Sequence, residues 1–405
     1  MIVRRFLAWS QMVPPGQRAE GVNALALGYL YSPMTPEIRR EAEAALTGVL
    51  EDPSPLVRRV LAEAFASAVE APHHCILALA NDQPEIAALV LERSPVLTDQ
   101  DLLDCAAAGG VAVQAAIARR PDLSAGVSAS LAEKASLEAM RALADNPGAD
   151  VPEFSLRRMV ERFGADASLR EALLTRAELP TCVRVDLVCA GASALTGFVR
   201  DCGWLSEDRA ERLRREACER AITDIALEAT RDDSIEGALE IVSHLRAVGR
   251  LTPAFMLRAL LSGDRSLFEA ALAELAGQPL ARASGFVRFH QGSGFVALYD
   301  RARMPANLLP VFQAALMAQD EAGEAASFED GLLSRGLIAQ VLEDCEALED
   351  PELGTVMALL RRFDAEAAQH EARELTARLF EEQKGRLELP KLEARPLPLA
   401  LSAAS

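Results

Sequence analysis

A chain of 405 residues, half of them hydrophobic, has material for more than one compact core. Aromatics make up only 5 % and strand-favouring runs of Val, Ile, Thr and Tyr are scarce, which predicts an all-α protein. A net charge of −18 and a pI near 4.9 repel polyanions, so neither nucleic acid nor an anionic membrane surface is an expected partner.

The opening residues Met1 to Trp9 lack the apolar run and cleavage site of a secretory signal, and no stretch of about 18 uninterrupted apolar residues follows. The expected location is the cytoplasm. A helix is predicted from Thr35 and Pro36, with the hydroxyl accepting from orphan amides and proline at the first helical position. Its apolar face is Ile38, Ala42, Ala45 and Leu46. Asp52-Pro53-Ser54-Pro55 opens the next helix, striped by Val57, Leu61 and Phe65.

From here the pattern recurs. Val57, Ile86, Val113, Ala139 and Leu169 hold matching apolar positions in short Ala-rich helices, at spacings of 29, 27, 26 and 30 residues. The helix ends at Arg93-Ser94-Pro95, Arg119-Arg120-Pro121 and Asp145-Asn146-Pro147 also match, each stopping before a proline as that residue's sterics require. A unit this short cannot bury its apolar face alone, so neighbours are expected to stack into an extended array. After Pro180 the pattern loosens and longer helices are predicted, one from Ser206 to about Thr230, one from Ser234 to near Gly249 and one from Thr252 to before Gly263.

The expected architecture is an α-solenoid of HEAT-like repeats over 1–200, a helical bundle over 201–318, a C-terminal helical extension over 319–386 and a disordered tail over 387–405. Gln319 to Glu329 is expected to be an acidic linker, and Pro351 and Asp364 to start helices in the extension. Whether that extension folds back on the bundle or stands apart is open.

Seven cysteines without a C-x-x-C pair are expected to be reduced, buried thiols. Five histidines are too scattered for a metal cluster and are expected in surface loops. No catalytic fingerprint occurs, so neither an enzyme nor a cofactor is expected.

The turn Asp52 with the pair Val57-Arg58 resembles a HEAT repeat, and the proline-terminated units resemble leucine-rich variant repeats. Ordered blocks strengthen a wider likeness: Asn81-Asp82-Gln83-Pro84, Arg93 to Asp99, Ile117 to Ser124, Leu143 to Pro147 and Leu174 to Pro180. Together they resemble a bacterial family, domain of unknown function 2336. The likeness is densest from Asp52 to Pro180, weaker to about residue 318 and absent after Ala318. It implies helical repeats and no activity.

Two surfaces are candidates for binding. Arg93, Arg119 and Arg176 at matched helix ends, with Arg58 of the HEAT-like unit, could form a ladder for a protein or peptide partner, although cations at helix C-termini also serve the dipole. Gly292-Ser293-Gly294, ahead of a short helix and near Arg288 and Arg301, could seat an anion. Trp9, Trp204, Tyr29 and Tyr31 are candidate interface anchors as well as core residues. The expected function is a non-enzymatic scaffold or regulator that binds a protein or peptide. The alternative is a sensor of a phosphorylated ligand or cyclic nucleotide, and a HEAT-like enzyme acting on DNA or a pigment ranks third.

Overall fold

The computed structural model describes residues 6, 8–10, 12–230, 235–323, 333–347 and 353–387, with side chains through 380. The chain is all-α. Among the described residues no strand forms, only a parallel bridge between Leu123 and Ala149. The chain divides into two compact units, Met1–Ile225 and Ala226–Ser405.

The first unit consists of α1 (Pro15–Tyr31), α2 (Pro36–Val49), α3 (Pro55–Phe65), α4 (His73–Ala80), α5 (Pro84–Arg93), α6 (Asp99–Ala108), α7 (Val111–Ala118), α8 (Ala125–Lys134), α9 (Leu137–Ala144), α10 (Glu153–Phe163), α11 (Ala167–Leu174), α12 (Thr181–Asp201) and most of α13 (Glu207–Thr230). Their starts are local chemistry. Thr35, Thr98, Ser124, Ser136 and Asp166 each accept from an orphan amide of the first turn, and Thr98 with Asp101 forms a reciprocal box.

Helices of eight to eleven residues cannot persist alone. They are held by packing on the next helix but one: α1, α3, α5, α7, α9 and α11 follow one another in one row, and α6, α8, α10 and α12 in a second. The matched residues Val57, Ile86, Val113, Ala139 and Leu169 are all buried between rows, and Ala87, Ala116 and Ala144 let the backbones approach closely. Ile38 departs from its expected place and is exposed, so the buried face of α2 is Ala42, Ala45, Leu46 and Val49.

The first unit runs to Ile225, within α13, and α12 packs on α10 and α11. By length and composition α12 could cross a membrane, but its first turns, with Val183, Val185 and Leu187, are core.

In the second unit α14 (Ile235–Ala247), α15 (Pro253–Leu261), α17 (Leu280–Arg288) and α18 (Ser293–Arg301) surround α16 (Arg265–Ala276), which is apolar on nearly every side. A 3₁₀ turn, Ala306–Leu308, leads into α19 (Leu309–Ala322), whose Phe312 stacks on Phe268 at 5.4 Å. The expected linker thus starts as helix, and its remainder lies outside the described residues.

The extension folds back within this unit. α20 (Arg335–Ala347) packs on α19, and α21 (Gly354–Leu387) packs on α20. Arg258 pairs with Glu366 at 2.6 Å and lies 4.6 Å over the Phe363 ring. Asp364 is interior to α21 and starts nothing; Pro351 and residues 388–405, the bulk of the expected tail, lie outside the described residues. His244 is buried within α14 and His290 is buried in the turn after α17, His73 and His74 open α4, and Cys202 is exposed while five other cysteines are buried.

Candidate functional site

Every α-helix leaves its last carbonyls without an intrahelical donor. In the first row the last carbonyls of α5, α7 and α9 are served by a side chain just beyond the next helix of the row. Arg120 donates from Nη1 to the Leu91 carbonyl at 2.5 Å and from Nη2 to Ser94 at 2.8 Å, closing the end of α5. Asn146 donates from Nδ2 to the Ala118 and Arg120 carbonyls at 2.8 and 2.6 Å, closing α7. Arg176 reaches the Asn146 and Ala149 carbonyls at 3.0 and 3.1 Å beyond α9. In the second row Arg162 does the same for Ala132 and Ala135 at 2.7 and 2.8 Å.

Carboxylate pairs tie the helix starts. Arg18 meets Asp52 at 2.8 Å, Arg58 meets Asp82 at 2.6 Å and Arg141 meets Asp166 at 2.7 Å. Burial pushes the Asp52 carboxyl up, but hydrogen bonds from Arg18 and the Ser54 amide outweigh it and leave it below the usual range. Arg58 holds Asp82 down despite its burial. Asp166, bonded by Arg141, the Leu169 amide and Ser168, falls to about 2. Arg120 has no ion-paired carboxylate among the described residues, and burial lowers its guanidinium against the pull of Asp99 and Asp122.

The expected arginine ladder therefore separates into two registers. Arg58 and Arg176 are internal fasteners. Arg93 and Arg119 point outward, exposed, and neither has a hydrogen-bond or ion-pair partner among the described residues. The inner register is Ser94, Arg120, Asn146 and Arg176, with the first three at most 9 % exposed. Sequence reasoning fixed on the residue one position earlier at Arg93 and Arg119, and on the inner residue itself at Arg176. The missed signal is a polar residue directly before each proline, where a helix has just ended.

Two hollows lie along this edge. One, of about 460 Å³, is lined by Arg119, Glu138, Arg141, Ala142, Asp145, Asn146 and Pro147. The next, of about 520 Å³, shares Asp145 and Pro147 and adds Asp150, Arg176 and Glu178 among its walls.

The glycine-rich candidate does not converge on an anion. Gly292 is the N-cap of α18 and Ser293 its first residue, but a Cβ on Gly294 would stand 2.7 Å from the Phe286 ring, so that glycine serves packing. Arg301 sits at the other end of this nine-residue helix, about 12 Å along its axis, where its Nε donates to the Ala276 carbonyl at 2.8 Å. Arg288 is exposed on α17. A separate apolar cavity of about 610 Å³ in the same unit is lined by Leu257, Leu308, Val311, Phe312, Val356 and Leu359, with Arg362 also in its wall. Of the candidate anchors Tyr29 is buried, Trp9 packs on Gly21, and Trp204 and Tyr31 are exposed.

A family model described as an uncharacterised protein conserved in bacteria, DUF2336, matches residues 86–350. The match starts later than the likeness read from the sequence and continues well past Ala318, taking in α19 and α20. No curated protein and no solved structure matches the chain.

Proposed function

The chain belongs to this DUF2336 family of uncharacterised bacterial proteins, and on that premise we propose that it is a non-enzymatic scaffold or regulator whose first unit is a solenoid of HEAT-like repeats that binds a protein or peptide partner. The observation that carries the reading is the ladder of inter-repeat bonds through Arg120, Asn146 and Arg176. Such a ladder fixes consecutive repeats at one spacing and leaves the neighbouring residue of each helix end free to face a ligand. The Arg58–Asp82 pair, joining one repeat to the next, supports the HEAT-like assignment.

A surface built this way recognises by many small contacts over a length rather than by one enclosed pocket. Photo-crosslinking in cells of the native host tests it. A photoreactive residue at Arg93, Arg119 or Glu178 is expected to capture one and the same polypeptide, and the same residue at Arg288 is not. Absence of capture at all three row positions, or equal capture at Arg288, would overturn the proposal.

A further inference from the structure

Three helix ends of the first row, those of α5, α7 and α9, close on a dipeptide whose second residue is buried and whose first is exposed. The exposed series is Arg93, Arg119 and Asp145, two cations followed by an anion. These three residues have no ion-pair or hydrogen-bond partner among the described residues, unlike Arg58 or Arg141. Unpaired charges of fixed order on a rigid edge cost little in water and gain only when a complementary charge arrives.

The hollows agree with that order. Between Arg119 and Asp145 the hollow carries both signs, with Arg141 committed to Asp166. The next hollow holds three carboxylates, Asp145, Asp150 and Glu178, while its arginine, Arg176, is spent on backbone carbonyls. The field along the edge therefore turns from positive to negative in the direction of the chain.

Building on the protein-binding reading above, we propose that this edge reads an extended segment of a partner protein bearing two acidic side chains, opposite Arg93 and Arg119, and then a basic one opposite Asp145. Packed helices stand about 8–10 Å apart, and an extended chain in the polyproline-II conformation advances about 3.1 Å per residue with three residues per turn, so every third side chain faces the same way. The three partner charges are thus three residues apart. A helical partner, at about 1.5 Å per residue, would need a spacing of six or seven instead.

Twelve-residue fluorescent peptides and the full-length protein test this by anisotropy. The set carries acid-x-x-acid-x-x-base in both chain directions, the charge-inverted pattern, and a helix-forming peptide with the charges seven apart. The matched extended peptide is expected to bind about tenfold tighter than its inverse, an advantage that shrinks as salt is raised. The Arg93→Glu, Arg119→Glu, Asp145→Lys triple variant is expected to prefer the inverted peptide. Arg119→Glu alone, checked by circular dichroism like the triple variant, is expected to weaken the matched peptide and keep the helical spectrum.

Equal affinity for matched and inverted peptides, binding of the helical peptide alone, or an unchanged preference in the variants would overturn the charge order. Crosslinks that persist at Arg93 and Arg119 in that event would leave the scaffold reading standing; loss of both would remove both.

Discussion

Arg120→Met removes a donor and keeps most of its volume, so it asks what that side chain contributes beyond filling space. Two charge-assisted hydrogen bonds, to Leu91 and Ser94, are lost, a gross cost of about 3–6 kcal/mol at roughly 1.5–3 each. Part returns, because the guanidinium is buried without a carboxylate partner and its removal relieves desolvation. A net loss of about 2–4 kcal/mol remains, concentrated at the α5–α7 contact. Because a chain of this size need not unfold in one step, hydrogen–deuterium exchange of the α5 and α7 amides is the suitable readout. Protection there is expected to fall roughly 30- to 700-fold, at about 1.4 kcal/mol per tenfold. The neighbouring Arg119→Met is expected to stay within about 0.5 kcal/mol of the parent. Unchanged protection in Arg120→Met, or equal losses in the two variants, would refute the assignment of the inner and outer registers.

Gly148 lies where the segments after α7 and α9 bridge at Leu123 and Ala149, and a Cβ there would meet the Pro121 carbonyl oxygen at 1.7 Å; Gly148→Ala is expected to cost more than about 3 kcal/mol, read as a loss of soluble yield and thermal midpoint. Asp166, held at about 2 against roughly 3.9 in an unfolded chain, favours the fold as a carboxylate. Its contribution is therefore complete above about pH 4 and drains as pH falls towards 2. Since the carboxylate is a quarter exposed, Asp166→Asn is expected to cost only about 1 kcal/mol at pH 7 and to flatten the acid-unfolding curve in that window. His290 is displaced in the opposite chemical sense: burial, with Arg265 adding, lowers it against the pull of Asp320 at 3.6 Å. The fold prefers the neutral ring, so stability is complete above about pH 6.5 and declines below it. Thermal midpoints at pH 7.5 and 5.5 are expected to differ more in the parent than in His290→Leu.

Much of the helical layout was legible. Thr35 and Thr252 marked starts because a cap is a bond between residues three apart, which sequence displays directly. The series from Val57 to Leu169 was legible because burial imposes a repeating apolar residue. What escaped depends on partners far along the chain. The return of α21 rests on Arg258 and Glu366, 108 positions apart, which no local period encodes. Ile38 reads as core by its helical phase, yet no described residue buries that side of α2, and α21 passes through Asp364 because propensity there permits a helix that tertiary contact then selects.

The ladder shows why a one-residue error in register changes the packing role of a residue and, in the proposed reading, its function too. At a helix end the backbone turns sharply, so adjacent side chains leave in opposite directions, one into the carbonyls of the previous repeat and one into water. The inner position is constrained by geometry: Arg120, Asn146 and Arg176 differ in size but each must present donors to two or more carbonyls. The outer position bears no such demand, and Arg93, Arg119 and Asp145 therefore differ in sign without cost to the stack. In the proposed reading, stability and recognition are written in alternate letters of the same dipeptide, and changing the outer letter is expected to alter what binds while the helical rows stay folded.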